Sequence, residues 1–189
     1  MTVAGTETDT GVYVALLRGI NVGGRNSLPM KLLAEMYREA GCISVQTYIQ
    51  SGNVVFRAPA AQIAAITAQV EAAILAQCGI SSPITTRSAT QLRAIAVANP
   101  YLPGNEDLTT LHVGFLAARP SAAQIATLDP QRSPPDAFTV QDTEIYFHFP
   151  RGVGPTKLTN VYFDGKLKTT LTLRNWRTTL KLCEMAEAE

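Results

Sequence analysis

YIQSGNVVF, residues 48–56, can be laid residue for residue on TVQDTEIYF, residues 139–147. In the first stretch the β-prone runs Val45 to Gln50 and Val54 to Arg57 flank Ser51-Gly52-Asn53, and in the second Phe138 to Val140 and Ile145 to Phe149 flank another polar turn. Both are hairpin signals. A chain that carries the same hairpin in each half is expected to carry the surrounding unit twice.

Working outward, Val12 to Leu17 is an apolar run too short for a helix and bounded by turn residues, so it reads as a buried central strand. A helix is expected to follow, capped by Ser27, with Pro29 in its first turn, an apolar face of Leu32, Leu33, Met36, Tyr37 and Ala40, and its end at Gly41. Beyond the hairpin, Ile63, Ile66, Val70 and Ile74 mark a long helix closed by Gly79, then a strand from Ile84 to Arg87 and a helix from about Ala89 to Ala98. NPYLPGNED, residues 99–107, can continue neither period and is the expected boundary. The pattern then restarts, with a strand at Leu111 to Ala117, a helix from Ser121 to Leu128, a proline-rich loop and the second hairpin. The expectation is an α+β fold of two related halves with a βαββ-type duplication: a disordered lead-in over 1–10, halves over 11–98 and 108–189, a linker over 99–107, and a basic C-terminal helix.

With 46 % hydrophobic and 16 % charged residues and a formal net charge of +1, disorder and whole-chain polyelectrolyte behaviour are excluded. Cys42, Cys78 and Cys183 are odd in number and far apart, which argues against a disulfide framework or a zinc site, so small buried hydrophobes are expected. The first ten residues lack a basic and apolar leader pattern, and no apolar stretch is read as reaching the roughly 20 residues of a membrane span. A cytoplasmic protein without membrane attachment, cofactor or metal is the expectation. His112 and His148 lie in apolar strands and read as structural.

Two regions concentrate chemistry. LLRGINVGGRN, residues 16–26, joins the first strand to its helix through three glycines and two arginines. Glycines let backbone N–H groups approach a ligand, and a helix N-terminus adds partial positive charge. The spacing Gly19 to Gly24 imitates a Walker A loop, but Arg25 and Asn26 stand where that motif needs lysine and a hydroxyl, so a P-loop is rejected. In a right-handed β-α-β crossover the two strands are parallel, so their ends share a sheet edge. Arg18 to Asn26 should therefore meet Gln50 to Asn53, bringing Arg18, Asn21, Gly23, Gly24 and Arg25 near Gln50, Ser51 and Asn53. The plain alternative is a tight connection with Arg18 salt-bridged or exposed.

The second region runs from Arg151 to Lys181, with seven basic residues against the single acid Asp164. Thr156 is expected to cap a helix with Lys157 in its first turn. Arg174, Arg177 and Lys181 follow i, i+3, i+7 spacing on a last helix beside Leu173, Trp176, Leu180 and Cys183. Such a stripe can track phosphates, with Trp176 stacking on a base, or it can be a solvated face over a core tryptophan.

LLRGINVGGRNSLPM, YIQSGNVVF, GVGPTKLTN and TLRNWRTTLKL, in this order, resemble the bacterial domain-of-unknown-function family 1697. The resemblance implies two ferredoxin-like halves and no established activity. Its motif positions fall on Arg18, Gly19, Asn21, Gly23, Gly24, Gln50, Ser51, Gly52, Asn53, Lys157, Leu158, Thr159, Asn160, Arg174, Asn175, Trp176 and Arg177, with Thr156 in place of the family's usual serine. The expected function is binding of a phosphate-bearing ligand, either a nucleotide-like small molecule or single-stranded nucleic acid. The alternatives are an enzyme acting on a small anionic substrate and a self-associating structural protein.

Overall fold

The computed structural model describes residues 10–104 and 107–189. Of the expected lead-in, residues 1–9 lie outside the described residues, and Thr10 opens the first strand. The first half contains β1 (Thr10–Leu17), α1 (Met30–Glu39), β2 (Ile43–Tyr48), β3 (Asn53–Pro59), α2 (Ile63–Cys78), β4 (Ile84–Ser88) and α3 (Ala89–Val97). The second repeats it with β5 (Leu111–Leu116), α4 (Ala122–Ile125), β6 (Ala137–Gln141), β7 (Glu144–His148), α5 (Asn160–Leu167), β8 (Leu171–Asn175) and α6 (Trp176–Glu187). The sheets have the orders β2-β3-β1-β4 and β6-β7-β5-β8, every neighbouring pair antiparallel. These are two ferredoxin-like halves of an α+β fold with a C-terminal helix.

The period of two along each strand divides the core. Ala15 and Leu17 of β1, with Val54 and Phe56 of β3, face α1 and α2. Val14, Leu16 and Val55 point the other way, into a core shared with Leu111, Val113, Phe115 and Tyr146 of the second sheet. Leu92 and Ile95 of α3 and Trp176, Leu182 and Ala186 of α6 fill that shared layer. Ile145 and Phe147 face outward onto Phe163 and Leu167 of α5. The central strands β1 and β5 are thus covered on both faces, which is why each reads as an unbroken apolar run.

Several local expectations are corrected. Ser27 does not cap α1; Pro29 holds the N-cap position and no side-chain cap bond forms. Thr159, not Thr156, caps α5 by accepting from the Tyr162 N–H at 3.2 Å, so Lys157 precedes that helix. The α4 helix ends at Ile125, well before Leu128. Arg174 belongs to strand β8, and α6 starts only at Trp176 behind an Asn175 cap, so the expected Arg174-Arg177-Lys181 helical stripe does not exist. The chain also does contain a helix long and apolar enough to cross a membrane, 19 residues over Ala60–Cys78 with mean hydropathy 1.2. Its Ile66, Val70 and Ile74 are buried against the first sheet.

One glycine fixes the turn on which the site depends. Gly52 has φ +71°, and a Cβ there would lie 2.6 Å from Ile20 Cδ1 and 2.7 Å from Leu17 Cβ. Both the left-handed backbone and the close approach favour glycine. Gly52→Ala is expected to cost about 2–3 kcal/mol, read as a lower urea midpoint at unchanged m-value.

Candidate anion-binding cleft

Because β1 and β2 both run antiparallel to β3, they are parallel to each other and end at one edge of the first sheet. The Leu17 N–H donates to the Gly52 carbonyl at 2.8 Å, and Asn21 Nδ2 donates to the Gln50 carbonyl at 2.8 Å and to Leu28 O at 2.9 Å. The two loops meet as the topology requires. Asn21, at φ +52°, also accepts from the Leu28 N–H, and Asn26 Nδ2 reaches back to the Gly19 carbonyl at 2.8 Å. These asparagines hold the loop in shape.

The second half completes the site. Strand β8 brings Arg174 across the junction, where Nε donates to Asn53 Oδ1 at 2.6 Å and Nη2 to the carbonyls of Leu17 at 2.6 Å and Ser51 at 2.9 Å. Burial pushes the Arg174 pKa down to about 10, which leaves it charged at neutral pH. From α5, Asp164 Oδ2 pairs with Arg18 Nη1 at 2.5 Å, while its Oδ1 accepts from the Leu171 N–H. Arg18 is therefore salt-bridged, with both side chains about a quarter exposed.

A cleft of about 430 Å³ opens here, lined by Arg18, Gly19, Arg25, Asn26, Asn160, Thr172 and Arg174. Three arginines line one cleft, and the one carboxylate paired with any of them among the described residues is Asp164. Arg25 is exposed and forms no ion pair among the described residues. A second cavity of about 320 Å³ adjoins it, lined by Leu17, Ile20, Val22, Ile49, Ser51, Leu173, Arg174, Asn175 and Thr178.

The expected site residues separate accordingly. Arg18, Arg25, Asn160 and Arg174 come together in the cleft, and Ser51 and Asn175 border the adjoining cavity. Asn53 is buried behind Arg174, and Asn175 caps α6 through the Thr178 N–H at 2.7 Å. Gly23, Gly24 and Gln50 are exposed and line neither cavity. Lys157 is exposed and is not among the residues lining the cleft, its backbone tied to Ser133 and Arg132. Trp176 is 1 % exposed and cannot stack on a base. Arg177 lies by Asp107, whose carboxyl is held below its ordinary range first by hydrogen bonds from Thr109 and then by Arg177.

Asp164 and Thr172 are site residues that the sequence reading missed. The signal for Asp164 was its standing as the single acid in a run of seven basic residues. His112 and His148 lie in β5 and β7 outside the cleft, and no group of three or more His, Cys, Asp or Glu placed to hold a metal occurs among the described residues.

The conserved bacterial protein SP0830 from Streptococcus pneumoniae shares this fold, with a TM-score of 0.69 and 21 % identity over 94 % of this chain and 99 % of that one. No curated protein matches the chain. The family model described as "Protein of unknown function (DUF1697)" matches residues 11–146, and the chain belongs to that family.

Proposed function

We propose that the protein binds a small phosphate-bearing or otherwise anionic ligand in the cleft between the 18–26 loop and β8. The observation that carries this is the gathering of Arg18, Arg25 and Arg174 on one concave surface, with Asp164 offsetting only one of the three charges. The Arg18 and Arg25 guanidinium groups, which keep unused N–H donors, are suited to bidentate recognition of phosphate or carboxylate, and Arg174 adds its charge from behind. A cleft of about 430 Å³ fits a compact ligand rather than an extended strand. The nucleic-acid alternative loses support, since Arg174 sits in a strand and Trp176 in the core. Val22 and Ile49, 65 % and 50 % exposed beside the adjoining cavity, offer an apolar surface to the body of an organic phosphate.

Calorimetric titration with a nucleoside monophosphate, its parent nucleoside and inorganic pyrophosphate, at constant ionic strength, tests this proposal. The phosphates are expected to bind and the nucleoside not. Arg25→Glu is expected to weaken phosphate binding by about tenfold, near the worth of one charge-assisted hydrogen bond, without changing unliganded stability. Absence of phosphate binding, or binding indifferent to Arg25→Glu, overturns the proposal.

A further inference from the structure

The duplication supplies an internal control for the cleft. In the first sheet Asn53 lies opposite Leu16 and Arg87 opposite Val14; in the second Glu144 lies opposite Phe115 and Arg174 opposite Val113. Superposing the strands therefore places Arg87 on Arg174 and Glu144 on Asn53. Laying YIQSGNVVF on TVQDTEIYF likewise sets Asn53 on Glu144.

Each arginine leaves its own half and enters the other, and the hydrogen bonds repeat nearly atom for atom. Arg87 Nη1 donates to its preceding carbonyl, Thr86, at 3.0 Å, as Arg174 Nη1 does to Leu173 at 2.9 Å. Arg87 Nη2 reaches the last carbonyl of β5, Leu116, at 2.8 Å, as Arg174 Nη2 reaches the last carbonyl of β1, Leu17, at 2.6 Å. The Nε groups differ in what they meet. Arg87 Nε meets the Glu144 carboxylate at 2.8 Å, whereas Arg174 Nε meets the neutral Asn53 amide at 2.6 Å. Asn53 is fully buried, and its Nδ2 donates to Tyr48 O at 3.1 Å and Ser51 Oγ at 2.9 Å, so its oxygen is directed at Arg174.

The two sockets thus share a geometry and differ in charge. The cavity beside Arg87 is lined by Asp142 and Glu144. The cleft beside Arg174 has Arg18 and Arg25 instead. Carbonyl dipoles and the Asn53 amide accept from Arg174 without supplying a counter-charge, and Arg174 forms no ion pair among the described residues; a guanidinium withdrawn from water in this way keeps a strong attraction for an anion. Thr172, beside it in β8, has a buried hydroxyl without a partner among the described residues and lines the cleft, although its counterpart Thr85 in β4 is likewise unpartnered.

We infer that the anionic group of the ligand serves as the counter-ion that Arg174 lacks, and that Asn53, by being neutral where the other half has Glu144, is the specificity-determining residue that keeps this socket open to anions. The inference rests on the anion-binding reading and goes further, because it assigns control of ligand charge to a buried residue that the ligand does not touch.

The test uses the full chain, with inorganic pyrophosphate titrated at constant ionic strength into the unaltered protein, Asn53→Asp and Gln50→Glu. Asn53→Asp places a carboxylate of the same size on Arg174 Nε, and Gln50→Glu makes the same charge change on the exposed surface of the same turn. Asn53→Asp is expected to lower pyrophosphate affinity at least about tenfold, and Gln50→Glu by no more than about twofold. Should Asn53→Asp not fold, Asn53→Glu, which copies the other half, carries the same expectation. Pyrophosphate binding by the unaltered chain that survives in both Asn53 variants overturns the inference while leaving the anion-binding reading intact. An equal loss in Gln50→Glu overturns it as well, since the effect would then be long-range. No binding by the unaltered chain overturns the parent reading and this inference together.

Discussion

Glu144→Gln is expected to destabilise the protein by about 3–5 kcal/mol, the usual cost of removing one partner from a buried ion pair. The Arg87 and Glu144 side chains are only 9 % and 10 % exposed, and Glu144 Oε1 also accepts from Thr143 Oγ1 at 2.9 Å. Glutamine keeps the volume and removes the charge, leaving the Arg87 guanidinium uncompensated between the two halves. The surface pair Arg93–Glu187, 66 % and 48 % exposed, provides the contrast: Glu187→Gln there should cost less than about 1 kcal/mol. Urea denaturation at pH 7 measures both. A Glu144→Gln loss as small as that of Glu187→Gln would mean that water screens the Arg87 socket.

Arg174→Ala is expected to remove both stability and ligand binding. Its guanidinium satisfies the carbonyls of Leu17, Ser51 and Leu173 and the amide oxygen of Asn53. Truncation leaves several of these without a donor in a largely dry junction, a loss of about 3 kcal/mol. Arg174→Lys retains the charge but cannot span acceptors on both sides of the junction. It should therefore recover part of the pyrophosphate affinity and little of the stability. Denaturation midpoints and calorimetric titration of the two variants separate these roles, and a lysine variant as stable as the unaltered chain would show that charge alone sustains the junction.

Much of the fold is written in local patterns. The second strands of the two hairpins align as they pair, Asn53 matching Glu144, but the first strands do not: Tyr48 pairs with Asn53 whereas Gln141 pairs with Glu144, so the first turn is two residues longer than the second. The meeting of the Arg18 and Ser51 loops followed from the parallel relation of β1 and β2, without any side-chain information. The errors fall where two local signals compete. Thr156 and Thr159 both precede an apolar turn, and the chain uses the second as its cap. In LTLRNWRTTL, residues 171–180, Leu173, Trp176 and Leu180 happen to follow helical spacing, while Leu171 and Leu173 at period two and Asn175 as a cap mark a strand that ends where a helix starts. Reading through that cap placed Arg174 on a solvated helix face and missed its passage into the opposite half.

The Arg18–Asp164 pair joins residues 146 positions apart, and the two arginine sockets form only once the halves have packed. No short-range pattern carries such contacts. The difference between Asn53 and Glu144 was visible in the aligned hairpins, but its meaning depended on knowing which arginine each residue meets.

The most direct measurement is a crystal of the unaltered protein soaked in a tungstate or other phosphate-like oxyanion at low concentration, with the heavy atom located by its anomalous signal. An ordered peak between Arg18, Arg25 and Arg174 that disappears in Asn53→Asp crystals soaked the same way is the expected result. A cleft without the oxyanion in crystals that bind it elsewhere would contradict the assignment of this surface as an anion site.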